Sequence, residues 1–219
     1  MDSTIHRDSS GRSLADYPRP SVAVDTAVLA PDPERGLVVL QVRRGRGPGW
    51  ALPGTFIHPG ETLADAVTRS LDQKANIRGL RPRQLHVFDA PDRDDRGWVL
   101  SVAHIAVVSP ERLSARLVEN TRLVPVHAPG RLIYDHADII ALAVDDVRAR
   151  YAAVPDPDGL LAAEFTLREL RLLHEAVKGE ALQRDTFRRA MEAGLEATGA
   201  QVAAGRGRPA AVFRVRPPA

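Results

Sequence analysis

The 219-residue chain contains no cysteine, so it can form neither disulfide bonds nor thiolate metal sites. The same absence favours a cytoplasmic location, although only as a weak indication. No apolar run approaches the roughly 20 residues that cross a bilayer, so we expect no membrane partner. Residues 1–19 also lack the apolar core of a secretory signal, and their small polar side chains predict a disordered tail.

The net charge of +2 is small, but basic residues are concentrated at the C-terminal end of the chain. The segment from Thr166 to Ala219 contains ten Arg or Lys residues and six Asp or Glu residues. This excess indicates a polyanionic partner for that part of the protein. The apolar fraction of 44% and the chain length allow a hydrophobic core in one large domain or two small ones.

Residues 20–135 have the pattern of β-strands around one central helix. The β-rich runs at 21–30 and 36–44 are joined by a turn containing Pro and Gly. The run at 97–108 is apolar at nearly every position, as in a strand covered on both faces. Between these runs lies a helical pattern at 61–75. Its apolar face comprises Leu63, Ala66, Val67 and Leu71.

The chain becomes helical after about residue 135. One predicted helix has an apolar stripe of Ile140, Ala143, Val147 and Tyr151. We interpret residues 136–164 as a linker helix and connection, with His136 positioning or capping that helix rather than acting in catalysis. In 165–219, Thr166 and Glu169 form a capping-box signature for a second helix. A third helix and two strands follow, with Phe187, Ala190, Met191 and Leu195 predicted to face a small core.

The central helix carries a damaged acidic motif, within LPGTFIHPGETLADAVTRSLDQKANI. This segment resembles the Nudix box, in which a glycine, five residues, Glu and seven residues precede Arg-Glu-apolar-any-Glu-Glu-any-Gly-apolar. Glu61 and Arg69 match the motif. Ser70, Gln73 and Lys74 stand where the three later glutamates belong.

Positions 70, 73 and 74 share one helix face, because they are related by i, i+3 and i+4 spacing. In an active Nudix enzyme that face holds Mg²⁺, which prefers carboxylate oxygens. Here it offers a hydroxyl, an amide and an ammonium group, and Lys74 repels a metal ion. Glu61 alone is a poor ligand set for magnesium. We therefore predict no catalytic residue, no metal site and no cofactor.

The C-terminal part has the layout of a winged helix-turn-helix, in which the second helix enters the major groove of DNA. Arginine pairs bidentately with guanine and also neutralises phosphates. The alternative is a solvated helix followed by a loose basic turn. The predicted DNA contacts are Arg184, Thr186, Arg188 and Arg189 on the helix, and Arg206 and Arg208 at the hairpin tip.

Both halves together resemble the Nudix-related transcriptional regulators of NAD metabolism, the NrtR family. The resemblance is carried by DAPDRDDRGWVLSVAHIAVV, YDHADIIALAVDDVR, FTLRELRLLHEAVKGEALQRDTFRRAMEAG and GRGRPAAVFRV. It implies an α+β fold, with a Nudix-like α/β/α sandwich and mixed β-sheet over 20–135 and a winged helix-turn-helix over 165–219. It also implies a homodimer that binds an inverted-repeat operator in double-stranded DNA. The expected targets are NAD biosynthesis or salvage genes, and the expected effector is ADP-ribose or a related NAD-derived nucleotide.

Effector contacts are expected at five residues. Arg44, Arg93 and Arg96 suit the geometry of a diphosphate, and His58 and Glu61 lie near the former metal position. Two other functions remain open at this point. One is an active ADP-ribose pyrophosphatase with an unusual metal site, and the other is a related regulator that senses a sugar or sugar phosphate.

Overall fold

The computed structural model describes residues 6–45, 47–114, 119–203 and 209–217. Within them, a seven-stranded mixed sheet forms the first structural unit. Its strands are β1 (Ser21–Asp32), β2 (Gly36–Arg43), β3 (Trp50–Ala51), β4 (Gly54–Phe56), β5 (Arg83–Phe88), β6 (Val99–Val107) and β7 (Thr121–Pro125). The main strand order is β3-β2-β1-β6-β5, with β4 paired to β1 and β7 paired to β2.

The centre of the sheet is the pair β1 and β6, which run parallel from Ser21↔Val99 to Leu29↔Val107. The other pairings of these two strands, with β2, β4 and β5, are antiparallel. Both central strands are buried along most of their length, because helices cover the two faces of the sheet. The apolar run at 97–108 is therefore a covered strand, as its composition predicts.

One face of the sheet is covered by α1 (Leu63–Ala75) and the short helix α2 (Pro110–Ser114). Thr62 caps the start of α1 in a reciprocal capping box with Asp65. The helix ends at Asn76, which has a φ of 53°. Asparagine tolerates this left-handed conformation better than most side chains, so it replaces the glycine of the motif without losing the helix end.

The opposite face is covered by α3 (His136–Ala153), and this placement corrects the linker interpretation of residues 136–164. Ile139, Ala143 and Val147 are fully buried in the same cluster as Ala27 of β1. The apolar stripe of α3 is thus the second helical layer of the sandwich, and only the segment after Ala153 connects it to the next unit. The predicted α/β/α sandwich with a mixed sheet is confirmed.

The second structural unit is a small winged helix. It comprises β8 (Phe165–Thr166), α4 (Leu167–Lys178), α5 (Arg184–Met191), β9 (Leu195–Val202) and β10 (Ala210–Val215). Its three strands are ordered β8-β10-β9. Thr166 and Glu169 form the predicted capping box at the start of α4, which ends at Gly179 in the left-handed region.

The predicted inward face of the third helix is correct at Phe187 and Met191, but wrong at Ala190, which is exposed. Helix α5 ends at Met191 and a 3-10 turn over Glu192–Gly194 follows. Leu195 therefore reaches the core from strand β9 rather than from the helix. The early end of α5 accounts only for Leu195. Ala190 lies within α5, where the buried residues Phe187 and Met191, four positions apart, form the inward stripe.

Helix α4 belongs to both cores. Leu170 packs with Phe187 in the winged-helix core, whereas Leu173 and Val177 pack into the cluster beneath α3. The two units therefore share a continuous apolar contact through one helix.

His174 lies between these two sets of contacts on α4 and is buried. Its Nε2 atom lies 2.5 Å from the carbonyl oxygen of Pro155. The ring meets Tyr151 of α3 edge-on at 5.2 Å and Phe187 of α5 at 4.9 Å between centroids. A single side chain thus connects the sandwich, the connecting segment and helix α5.

Of the predicted N-terminal tail, residues 1–5 lie outside the described residues. Residues 6–19 form turns and a 3-10 turn at Leu14–Asp16, with no buried side chain. They contribute to neither core, and disorder of this segment stays a prediction. In the described part of the chain, no helix is both long enough and apolar enough to span a membrane.

Candidate effector site and DNA-binding surface

A cavity of about 700 Å³ opens in the sandwich domain. Its walls come from β1, the end of β2, the segment from β3 to β4, the last turn of α1, the start of α3 and four loops. Three of the five predicted effector residues, Arg44, Arg93 and Arg96, line this cavity. The sequence positions of these arginines are far apart, so their convergence depends on the sheet topology.

Asp25 of β1 is a buried carboxylate of the cavity wall. It accepts a hydrogen bond of 2.6 Å from Ser101 Oγ, lies 3.4 Å from His136 Nε2 and lies 3.9 Å from the Arg93 guanidinium. Burial opposes ionisation, but the hydrogen bonds from His136 and Ser101 and the charge of Arg93 hold the pKa of Asp25 below its usual value. A Cβ at Gly54 would lie 1.9 Å from Asp25 Oδ1, so the strand can approach this carboxylate only as glycine.

His136 and Arg93 connect the start of α3 to the cavity. The backbone N–H of Leu52 donates a 3.0 Å hydrogen bond to His136 Nδ1, so the ring proton resides on Nε2 and faces Asp25. The Arg93 side chain is 3% exposed and donates two hydrogen bonds of 2.7 and 2.5 Å to Asp135. Both side chains are therefore held in place by protein groups.

Arg96 lies in an aromatic clamp at the cavity wall. Its guanidinium is 5.0 Å from the Phe56 ring and 5.1 Å from the Tyr134 ring, and it also pairs with Asp94 at 2.6 Å. The hydrogen bonds to Asp94 raise the pKa of Arg96 above its usual value. By contrast, no carboxylate of the described residues lies within ion-pairing distance of Arg44, whose guanidinium contacts the carbonyl oxygen of Pro48 at 3.5 Å.

The other two predicted effector residues, His58 and Glu61, do not line the cavity. Both Glu61 oxygens accept hydrogen bonds from Arg69, at 2.7 and 2.8 Å, and these bonds lower the pKa of Glu61 to about 2. Arg69 also donates to Phe56 O at 2.9 Å and Thr55 Oγ1 at 3.2 Å. The Glu61–Arg69 pair thus holds the loop before α1 against β4. The Glu61 carboxylate, which we expect to contact the effector, is bound to Arg69 instead.

The damaged motif is divided between the cavity and the core. Gln73 and Lys74 line the cavity, and Lys74 Nζ donates a hydrogen bond to the carbonyl oxygen of Gly54. Ser70 is buried, and its hydroxyl has no hydrogen-bond partner among the described residues. Desolvation lowers the pKa of Lys74, although the side chain is still exposed to solvent through the cavity.

These residues do not fit a divalent metal. Position 70 is closed off from the cavity, position 74 presents a positive charge, and Glu61 is occupied by Arg69. Within the described ranges, no group of three or more His, Cys, Asp or Glu side chains is arranged to hold a metal ion. The carboxylate oxygens that magnesium prefers are therefore missing from this helix face, and the absence of a metal stays a prediction.

The second candidate surface is the outer face of α5. Gln183 caps this helix by accepting a 2.6 Å hydrogen bond from the backbone N–H of Thr186. Thr186 and the three predicted DNA-contacting arginines, Arg184, Arg188 and Arg189, are all exposed. Within the part of the chain that the structure describes, no carboxylate forms an ion pair with these arginines. Their charges therefore remain available to phosphates or base edges.

The two wing residues of the prediction, Arg206 and Arg208, lie outside the described residues. The strands that flank them, β9 and β10, form an antiparallel hairpin, in which Arg214 pairs with Glu196 at 2.8 Å.

Sequence reasoning missed Asp25, Ser101 and the aromatic pair Phe56 and Tyr134. Asp25 had a detectable signal, because it is the single charged residue inside the apolar run at 21–30. The others had none, since their relevance depends on which strands become neighbours.

Comparisons with known proteins match both units. Residues 19–143 match the family model of the NUDIX domain, and residues 159–215 match that of the NrtR DNA-binding winged helix domain. The chain is 31% identical over 213 residues to the ADPR responsive transcriptional repressor NtrR of Acinetobacter baylyi, covering 91% of this chain and 84% of that protein.

Two further similarities concern DNA and hydrolysis. The crystal structure of Shewanella oneidensis NrtR complexed with a 27mer DNA is 29% identical, with a TM-score of 0.72 and coverage of 89% of this chain and 93% of that chain. The ADP-ribose pyrophosphatase of Methanocaldococcus jannaschii is 30% identical over 128 residues, which cover 57% of this chain and 73% of that protein. The similarity to the regulators therefore extends over both units of the chain, whereas the similarity to the hydrolase covers 57% of it. The chain belongs to the NrtR family of Nudix-related transcriptional regulators.

Proposed function

We propose that the protein is a DNA-binding transcriptional repressor whose Nudix-like domain senses a nucleotide and does not hydrolyse it. One observation carries the proposal: a cavity lined by cations but without a carboxylate metal site is joined in one chain to a winged helix with exposed arginines. The target genes that the family resemblance implies are those of NAD biosynthesis or salvage.

The effector that fits best is ADP-ribose or a related NAD-derived nucleotide. A 31% identical relative is named as ADPR-responsive. The cavity of about 700 Å³ lies in the size range of sites for small ligands. Arg44 and Arg96 provide positive charge for a diphosphate, and the rings of Phe56 and Tyr134 lie beside it. A sugar phosphate is the alternative ligand, since it would use the same cations.

Catalytic silence is part of the proposal. The similarity to an ADP-ribose pyrophosphatase favours the rival function, a hydrolase. Against it stand Ser70, Gln73 and Lys74, which offer no carboxylate to position a metal and activate water. Purified protein with ADP-ribose and Mg²⁺ or Mn²⁺ should release no AMP above a buffer control. Steady turnover that is lost in Glu61→Gln would establish the hydrolase instead.

DNA binding is tested with the full chain and a pool of random duplexes. Repeated selection should enrich an inverted repeat, because a helix-turn-helix dimer reads two half-sites about one helical turn apart. Fluorescence anisotropy should then show tight binding to the enriched site and weaker binding to a scrambled duplex. Equal binding to both duplexes would remove the basis for calling the protein a specific repressor.

A further inference from the structure

We propose that Lys74 replaces the divalent metal of this site, so that its ammonium group meets the diphosphate of the effector directly and effector binding needs no metal ion. The inference rests on the proposed function, since it specifies how the nucleotide is held. It concerns the one substitution in the damaged motif that reverses the sign of a charge.

The position of Lys74 supports this role. The side chain extends from the last turn of α1 into the cavity and is held over β4 by its hydrogen bond to the Gly54 carbonyl. An ammonium group has three donors, so two remain for a ligand. Among the described residues, no carboxylate lies within ion-pairing distance of Lys74.

The surrounding charges leave Lys74 as a free cation. Asp25 attracts Lys74 through space, but it forms no direct ion pair with it and is already engaged by Ser101 and His136. The cavity carboxylate Asp94 is bound to Arg96. An anionic ligand therefore meets a positive charge that has no carboxylate within ion-pairing distance among the described residues, at the place where the helix face of an enzyme would present a metal.

The face of α1 that carries Ser70 and Lys74 also offers no carboxylate ligand for a metal ion. Ser70 lies one turn before Lys74 on the same face, but it is buried and its hydroxyl contacts no donor or acceptor of the described chain. At the former metal position, Ser70 therefore supplies no carboxylate ligand, and Lys74 supplies a positive charge that is covalently attached to the helix. A tethered ammonium neutralises phosphate oxygens, but it does not lower the pKa of a water molecule as a bound metal does. Binding without hydrolysis follows from this exchange.

The test is isothermal titration of ADP-ribose into the full-length protein, with EDTA or with Mg²⁺. The wild-type Kd should be the same in both buffers. Lys74→Gln should weaken binding about tenfold to a hundredfold, the value of a hydrogen bond to a charged group. Lys74→Arg should restore most of the affinity, because it keeps the charge.

The chain offers a matched control, since it has two lysines and the other, Lys178, pairs with Glu180 at the end of α4. Lys178→Gln should leave the Kd unchanged. Because the chain has only two lysines, NMR of the protein with isotopically labelled lysine side chains gives a direct readout. The Nζ resonance that is absent in Lys74→Gln should shift on addition of ADP-ribose.

The outcomes separate the two proposals. Failure of the wild-type protein to bind ADP-ribose in either buffer would remove the effector assignment itself. Wild-type binding that requires Mg²⁺, or an unchanged Kd in a folded Lys74→Gln variant, would overturn the role of Lys74 alone. If that variant does not fold, the Lys74 resonance is assigned as the one that remains in Lys178→Gln, and its failure to shift at saturating ADP-ribose overturns the role of Lys74 as well.

Discussion

At the scale of single residues, the cavity depends on a carboxylate buried where water cannot solvate it. Asp25 keeps its charge because Ser101 donates to it and because His136 and Arg93 lie close by. An unpaired buried charge costs several kcal/mol, so these partners are required for the wall to form. The residue that lets β4 come so close is Gly54.

Gly54→Ala should destabilise the protein by about 1–3 kcal/mol, the cost of forcing extra atoms into a packed interior. The reason is steric, since the added Cβ would meet Asp25 Oδ1 at 1.9 Å. Urea unfolding monitored by circular dichroism measures the change. Gly45→Ala is the matched control, because a Cβ at Gly45 meets nothing within 4 Å. Equal stability of the two variants would show that Asp25 and Gly54 are not in close contact.

The Glu61–Arg69 pair should make stability depend on pH in the acidic range. The pKa of Glu61 falls from its ordinary value of 4.5 to about 2 in the folded protein. Its contribution is therefore complete above about pH 4.5 and is lost as the pH falls towards 2. Glu61→Gln should lower the free energy of unfolding more at pH 7 than at pH 3. An equal loss at both pH values would contradict the ion pair.

At the scale of elements, α4 is the helix on which the two units depend. It closes the sandwich with one part of its apolar face and the winged helix with another. His174 lies between Tyr151 and Phe187, so packed rings connect α3 to α5, and we expect a change at α3 to be felt at α5.

His174→Ala should lower stability by about 2 kcal/mol or more, because it opens a cavity among buried rings. It should also weaken operator binding, since Phe187 of α5 loses its contact with the His174 ring. Leu172→Ala on the same helix is the control, because Leu172 is exposed. Thermal unfolding and anisotropy report the two effects. Wild-type stability and wild-type operator affinity in His174→Ala would show that His174 does not couple the sandwich to α5.

Helix α5 carries the predicted base contacts. The double change Arg188→Ala, Arg189→Ala should weaken operator binding by about 1–3 kcal/mol for each base-reading arginine, and relax sequence preference. Both side chains are exposed, so folding should be unaffected. Arg35→Ala, which changes a surface arginine of the sandwich domain paired with Asp32, is the control. Operator affinity that survives the double change would place the reading surface elsewhere.

Apolar periodicity predicts from the sequence where the helices lie and which of their faces are buried. The stripe Ile140, Ala143, Val147 and Tyr151 is buried as predicted, but periodicity does not reveal what a stripe packs against. The helix was therefore interpreted as a linker although it covers the sheet. The prediction for Ala190 is wrong because α5 buries only a narrow stripe, Phe187 and Met191, whereas Leu195 follows a 3-10 turn and is buried from a strand.

At the scale of the whole molecule, the family and the two-unit architecture were predictable because several motifs extend along most of the chain. The residues of the effector cavity were less predictable. Arginine suits phosphate chemistry by type, which brought Arg44, Arg93 and Arg96 to attention. Asp25 and Tyr134 acquire meaning only when strands and loops distant in sequence become neighbours.

The whole-molecule prediction is a homodimer in solution. A winged helix that reads an inverted repeat needs two-fold symmetry to present two reading helices. Light scattering at micromolar concentration should give twice the chain mass of 23.8 kDa. The operator complex should contain two chains per duplex. A monomer that binds one chain per duplex would contradict the symmetric arrangement.

The central claim, that this Nudix domain senses a nucleotide without consuming it, is tested most directly on the operator complex. ADP-ribose is titrated into the labelled operator complex with Mg²⁺ present, and the nucleotide is recovered after several hours and analysed by chromatography. The account predicts that operator affinity changes about fivefold or more, the usual range of coupling between two sites, while all ADP-ribose is recovered intact. Unchanged operator affinity, or conversion of ADP-ribose to AMP by the protein, would contradict it.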